Sequence, residues 1–184
     1  MIFTDTELTG AFLIELEIIT DERGFFARSY CQDEFKARGL NTNIAQCNIS
    51  YNKLRGTIRG MHFQDAPYEE AKLVSCIRGS IYDVIIDLRR SSQTYCKWFS
   101  VELSDTDYKM LYVPEGFAHG FQALEDNATV FYQMFQFYKP EYSNGVRWDD
   151  PAFGIEWPLP VSCINTKDSG FPLLEETSLP PIAD

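Results

Sequence analysis

The chain has 184 residues, and Lys+Arg 16 against Asp+Glu 27 gives a formal net charge of −11 at pH 7. Nucleic-acid binding through overall charge is excluded, so any anionic ligand must be held by a few converging cations in a local pocket. Hydrophobic residues at 45% and charged residues at 23% are globular proportions that exclude general disorder and fit one domain over residues 1–184.

In chain order, the first apolar run is AFLIELEII, residues 11–19, interrupted by Glu15 and Glu17 and preceded by no basic stretch. It reads as neither a secretory signal nor a membrane span, which predicts a cytoplasmic protein with no membrane partner. A helix is expected around Gln32 to Arg38, stopped by Gly39. Short runs rich in β-branched and aromatic residues follow: LVSCI, IYDVIIDL, KWFSVEL, KMLYVP and TVFYQMFQFY. Their spacing predicts an all-β sandwich or barrel. Arg78-Gly79 lies between two runs and Asp126-Asn127 just before another, so meandering antiparallel hairpins are expected. Counting outward from a hairpin at Arg78-Gly79 sets Val74 opposite Asp83 and Lys72 on the same sheet face as Asp83, a buried cation beside a carboxylate. The tail from Glu175, with Pro180-Pro181, is expected to fray. Five cysteines with no CxxC pair read as reduced thiols.

The chemistry-bearing residues cluster around the two histidines, in RGMHFQ (Arg59 to Gln64) and PEGFAHGF (Pro114 to Phe121). Each sits among glycines, where backbone can approach a ligand closely. His62 and His119 are 119 − 62 = 57 positions apart, with no H-x-H and no third histidine, so the usual nitrogen-rich redox-metal ligand set is missing and catalysis without metal is favoured. Lys72, inside an apolar strand, joins Arg23 and Arg59 as cations suited to a phosphate-bearing ligand. Asp168, in INTKDSG, is an acceptor able to orient a histidine base. Tyr132 and Tyr138 lie on an aromatic strand, and one phenol reaching a cavity would serve as a proton donor.

Nine blocks in order then carry a resemblance: DERGFF, QCNIS, IRGMHFQ, AKLV, IYDVIIDLR, PEGFAHGF, FYQMFQFY, RWDDPAFGIEWP and TKD. From near its start to about residue 172, the chain resembles the dTDP-4-dehydrorhamnose 3,5-epimerase family. The resemblance implies an all-β, cupin-like double-stranded β-helix (jelly roll) with a few short peripheral helices, forming a homodimer and needing no metal or other cofactor. The implied reaction inverts carbons 3 and 5 of a nucleotide-linked 4-keto-6-deoxyhexose. By the same resemblance His62 is the base, Asp168 its orienting partner, Lys72 the cation facing the keto oxygen, and Tyr132 the acid on the opposite face. Arg23, Gln46, Asn48, Arg59, His119 and Lys167 fall at positions that bind the nucleotide sugar, with Tyr138 stacking on the base. Phe26 of DERGFF and Asp83 of IYDVIIDLR belong to the substrate-binding set. Three residues depart from the family pattern: Arg28 and Ser143 stand where Glu is usual, and Asn165 replaces a frequent serine. The first two bear on the nucleotide, leaving a CDP-linked sugar beside the dTDP-linked one. A 3- or 5-monoepimerase and, from another class, a non-catalytic sugar-nucleotide-binding protein are the alternatives.

Overall fold

Among residues 1–174, which the computed structural model describes, two antiparallel sheets face each other. Strands are numbered in chain order. The larger sheet runs β1 (Ile2–Asp5), β2 (Phe12–Glu15), β10 (Lys109–Val113), β7 (Lys72–Arg78), β12 (Ala128–Met134), β5 (Gln46–Asn52). The smaller runs β13 (Ser143–Gly145), β6 (Ile58–Gln64), β11 (Phe117–Ala123), β8 (Ser80–Asp87), β9 (Trp98–Ser104). A separate hairpin pairs β3 (Ile19–Asp21) with β4 (Gly24–Phe26). The helices α1 (Gln32–Lys36) and α2 (Thr166–Ser169) are both short. This is the expected jelly roll with few peripheral helices. The tail from residue 175 lies outside the described residues.

Side-chain alternation explains the layers. On β8, Ile81 and Ile85 join Val74, Leu111, Phe121 and Val130 between the sheets. Val84 and Ile86 point the other way, onto Met61, Ala118, Val146 and Phe153. A third cluster covers the far face of the larger sheet, where Phe35 of α1 packs edge-on against Tyr112 and Phe3. Each fully buried Ile, Leu or Phe in these layers contributes about 1.5–3 kcal/mol. Burial on both faces is why β8 reads as an almost unbroken apolar run.

The structure corrects the hairpin reading. Arg78-Gly79 joins β7 to β8, which lie in opposite sheets, so the turn is a corner of the sandwich and the two strands are not paired. The physical reason is that Val74 and Cys76 of β7 and Ile81 and Ile85 of β8 bury each other face to face. Lys72 and Asp83 are consequently not cross-strand neighbours. Asp126-Asn127 likewise connects β11 to β12 across sheets, with Asn127 at φ +63°. AFLIELEII is also divided, between β2 and β3. The expected helix is present, and Gly39 follows it at φ +70°.

Candidate active site

Strand alternation makes the space between the sheets apolar at one end and polar at the other. On β7 the inward residues run Lys72, Val74, Cys76, and on β12 Tyr132 is followed outward from the core by Met134. His62 of β6 stands opposite His119 of β11 in register. The polar end is a cavity of two lobes meeting at His62, Lys72 and Tyr132. One lobe adds Ser50, Arg59 and His119; the other adds Glu70, Tyr138, Ser143, Lys167 and Asp168.

His62 Nε2 lies 2.9 Å from Asp168 Oδ1. The carboxylate can only accept, so Nε2 carries the proton and Nδ1 is left as the basic nitrogen. The second carboxylate oxygen accepts the Gly60 N–H at 3.0 Å, which fixes the carboxylate plane. Burial pushes the Asp168 carboxyl upward, but the hydrogen bond and charge of His62, together with the Gly60 N–H and Asn165, outweigh it and hold the group below its ordinary 3.8. Asn165 caps α2 by accepting the Asp168 N–H at 2.6 Å, so it does the work expected of a cap residue there. The imidazole is 39% exposed and open to the cavity, whereas the Asp168 side chain behind it is 2% exposed.

Lys72 does reach a partner, but not the expected one. Its Nζ lies 3.0 Å from Glu70 Oε1 and donates to the His62 carbonyl at 3.3 Å. Asp83 is fully buried and its Oδ1 lies 2.8 Å from His119 Nε2. Asp83, expected in the substrate-binding set, is not among the residues lining the cavity: it sits behind His119 and holds its ring. Arg59 lines the cavity with Nε donating to Asn52 Oδ1 at 2.8 Å. Lys167 Nζ donates to Ser143 Oγ at 3.2 Å at the outer rim.

Two of the remaining expected residues support the rim. Gln46 Oε1 accepts the Tyr138 N–H at 2.5 Å, and Asn48, directly opposite Tyr132 in register, contacts Met134 Sδ at 3.3 Å. Arg23 and Phe26 are not brought to this cavity. They lie on the β3–β4 hairpin, where Arg23 pairs with Asp21 and its side chain is 83% exposed. Glu70 was not anticipated; its only sequence signal is an acid two residues before Lys72 in a segment that turns apolar. Among the described residues no cluster of three or more His, Cys, Asp or Glu is placed to hold a metal, and no helix is long and apolar enough to cross a membrane. All five cysteines are free thiols.

The family model of dTDP-4-dehydrorhamnose 3,5-epimerase matches residues 5–176. The chain belongs to this family. It is 45% identical over 178 residues to the dTDP-4-dehydrorhamnose 3,5-epimerase of Methanothermobacter thermautotrophicus, covering 95% of each chain. A dTDP-4-dehydrorhamnose 3-epimerase of Streptomyces niveus is 38% identical, covering 92% of this chain and 82% of the relative. Among solved structures, the Legionella pneumophila 3,5-epimerase in complex with dTDP-4-keto-L-rhamnose superposes with a TM-score of 0.88 at 33% identity, covering 95% of this chain and 93% of that one. Membership makes the chain an isomerase of the epimerase type.

Proposed function

We propose that the chain, acting as one domain and as a cytoplasmic homodimer, inverts carbons 3 and 5 of a dTDP-linked 4-keto-6-deoxyhexose through an enolate. One observation carries the mechanism: the base and the acid approach from opposite sheets, His62 from the smaller and Tyr132 from the larger, both lining one cavity. His62 Nδ1 removes the proton beside the ketone, and Asp168 stabilises the imidazolium that forms. Lys72, whose side chain is 6% exposed, stabilises charge as it develops on the keto oxygen, because a buried, preorganised cation interacts more strongly than a solvated one. Tyr132 returns a proton from the other face. Burial raises its phenol above the ordinary 10.0, Arg59 offsets this in part, and Glu70 adds to it, so the group stays protonated and acts as an acid.

Arg59 and His119 at one lobe, and Lys167 at the other, hold the anionic and polar parts of the nucleotide sugar, with Tyr138 offering a half-exposed ring to the base. Abstraction by the Asp168-paired imidazole of His62 and return by the Tyr132 phenol are acid–base steps that call for no metal ion. The dTDP nucleotide is favoured by the complex of the Legionella relative, and the 3-epimerase of Streptomyces niveus favours a second reading in which only carbon 3 inverts. Incubation in deuterated water with dTDP- and CDP-4-keto-6-deoxyglucose, read by NMR, separates these. Label with inversion at both carbons of the dTDP sugar is expected, unchanged by chelator. Inversion at one carbon establishes the monoepimerase, preference for the CDP sugar overturns the nucleotide, and loss of turnover on chelation overturns the metal-free mechanism.

A further inference from the structure

Among the described residues, Glu70 Oε2 is one of three buried side-chain oxygens with no hydrogen-bond partner. Its side chain is 5% exposed, yet it lines the outer lobe beside His62, Lys72 and Tyr132. An unmet buried acceptor is costly, and more so when it is a carboxylate oxygen, so its persistence at a cavity wall points to a ligand that supplies the donor. The other carboxylate oxygen is committed to Lys72 at 3.0 Å, and the Lys72 ammonium spends a second N–H on the His62 carbonyl at 3.3 Å. An ammonium has three donors, so one remains. The pair therefore offers the cavity one N–H donor beside one carboxylate acceptor.

The fragment complementary to that pattern is an acceptor oxygen next to a hydroxyl, and with Lys72 facing a ketone that fragment is an α-hydroxyketone. In a 4-keto-6-deoxyhexose the ketone at carbon 4 is flanked by carbon 5, bearing only the methyl and the ring oxygen, and by carbon 3, bearing a hydroxyl. We propose that Glu70 Oε2 accepts the carbon-3 hydroxyl while Lys72 donates to the keto oxygen, which makes Glu70 the specificity-determining residue for that hydroxyl. The inference rests on the reading of Lys72 at the keto oxygen. It assigns Glu70 more than the support of Lys72, because mere support would leave Oε2 without a function.

The test compares the dTDP-linked 4-keto-6-deoxyhexose with its 3-deoxy analogue, following deuterium entry at carbon 5 by NMR in wild type, Glu70→Met and Glu70→Gln. Wild type is expected to lose about 10- to 150-fold in kcat/KM on removal of the hydroxyl, the range for a hydrogen bond to a charged group. Glu70→Met is expected to lose a similar factor on the native sugar beyond whatever it loses on the 3-deoxy analogue. Equal slowing on both sugars would reduce Glu70 to support for Lys72 and overturn the proposal. Wild type that handles both sugars alike would also overturn it. If Glu70→Met gives no cooperative melt, the near-isosteric Glu70→Gln decides: discrimination reduced at least threefold supports the proposal, and discrimination equal to wild type sinks it. Failure of the underlying reading is separately visible, as wild type that exchanges neither sugar.

Discussion

Tyr132 and His62 differ in what their removal should abolish. Abstraction at His62 can be reversed by His62 itself, so label can enter carbon 3 or 5 without inversion. Only donation from the opposite sheet inverts the centre. Tyr132→Phe keeps the packed ring and deletes the hydroxyl, so exchange is expected to persist while epimerised product falls by about 10²- to 10⁴-fold. A Tyr132→Phe protein that inverts at the wild-type rate would remove the phenol from the mechanism. Asp168 couples the site to stability. Its carboxyl is held below 3.8, chiefly against burial and by His62. A depressed carboxyl contributes stability that is fully present above the unfolded value and lost as pH falls through the folded one. Urea midpoints are therefore expected to drop below about pH 4, and Asp168→Asn should flatten part of that decline while lowering turnover. An unchanged acid limb in Asp168→Asn would show that the burden lies elsewhere, Asp87 being a second carboxyl held low, against burial, by Arg89, Ser92 and Thr94.

At the scale of elements, the meeting of β6 and β11 sets the distance between the two histidines. A Cβ on Gly60, at φ +131°, would lie 2.5 Å from the Gly120 Cα, and one on Gly120 would lie 2.5 Å from Met61 Sδ and 2.7 Å from the Arg59 carbonyl. The register shifts between His119 and Phe121 at the same place. Gly120→Ala must push the strands apart, so a loss of about 1–3 kcal/mol is expected from overpacking, with turnover reduced beyond the loss of folded protein. Thermal melts and kcat at a temperature where the variant is fully folded would check this; a variant matching wild type in both would show that the strands have room. These two strands also show what the sequence left hidden. The runs that became β7 to β10 and β12 were legible from their apolar residues. IRGMHFQ and FAHGF were visible only as glycine-flanked histidines, because close backbone approach replaces the β-branched side chains that mark a strand. The Asp168–His62 pair was legible as chemistry. Glu70 and the true partner of Asp83 were not, since both depend on which strands share a sheet, and Arg78-Gly79 looks locally the same as a hairpin turn or as a corner.

At the scale of the whole molecule, Arg23 and Phe26, both expected to bind substrate, lie on a hairpin away from the cavity. The β3–β4 hairpin carries Arg23 and exposes Ile19 and Phe26 at 67% and 66%, and the face of the larger sheet near β5 exposes Ile49 at 68% and Tyr51. Apolar residues at this exposure on an extended hairpin and on an edge strand are what a two-fold interface would cover. If the hairpin of one copy completes the cavity of the other, the two requirements become one arrangement: light scattering should give twice the chain mass of 21.2 kDa, and Arg23 should act in trans. The decisive experiment mixes two inactive variants after dissociation. Arg23→Ala spoils the partner's site, and His62→Asn spoils its own, so a mixed dimer holds one doubly damaged site and one intact site. Random reassociation makes half the dimers mixed, and recovery of about a quarter of wild-type activity is expected from an isologous pair. If Arg23 served the cavity of its own chain, each site in a mixed dimer would still carry one lesion and mixing would recover nothing.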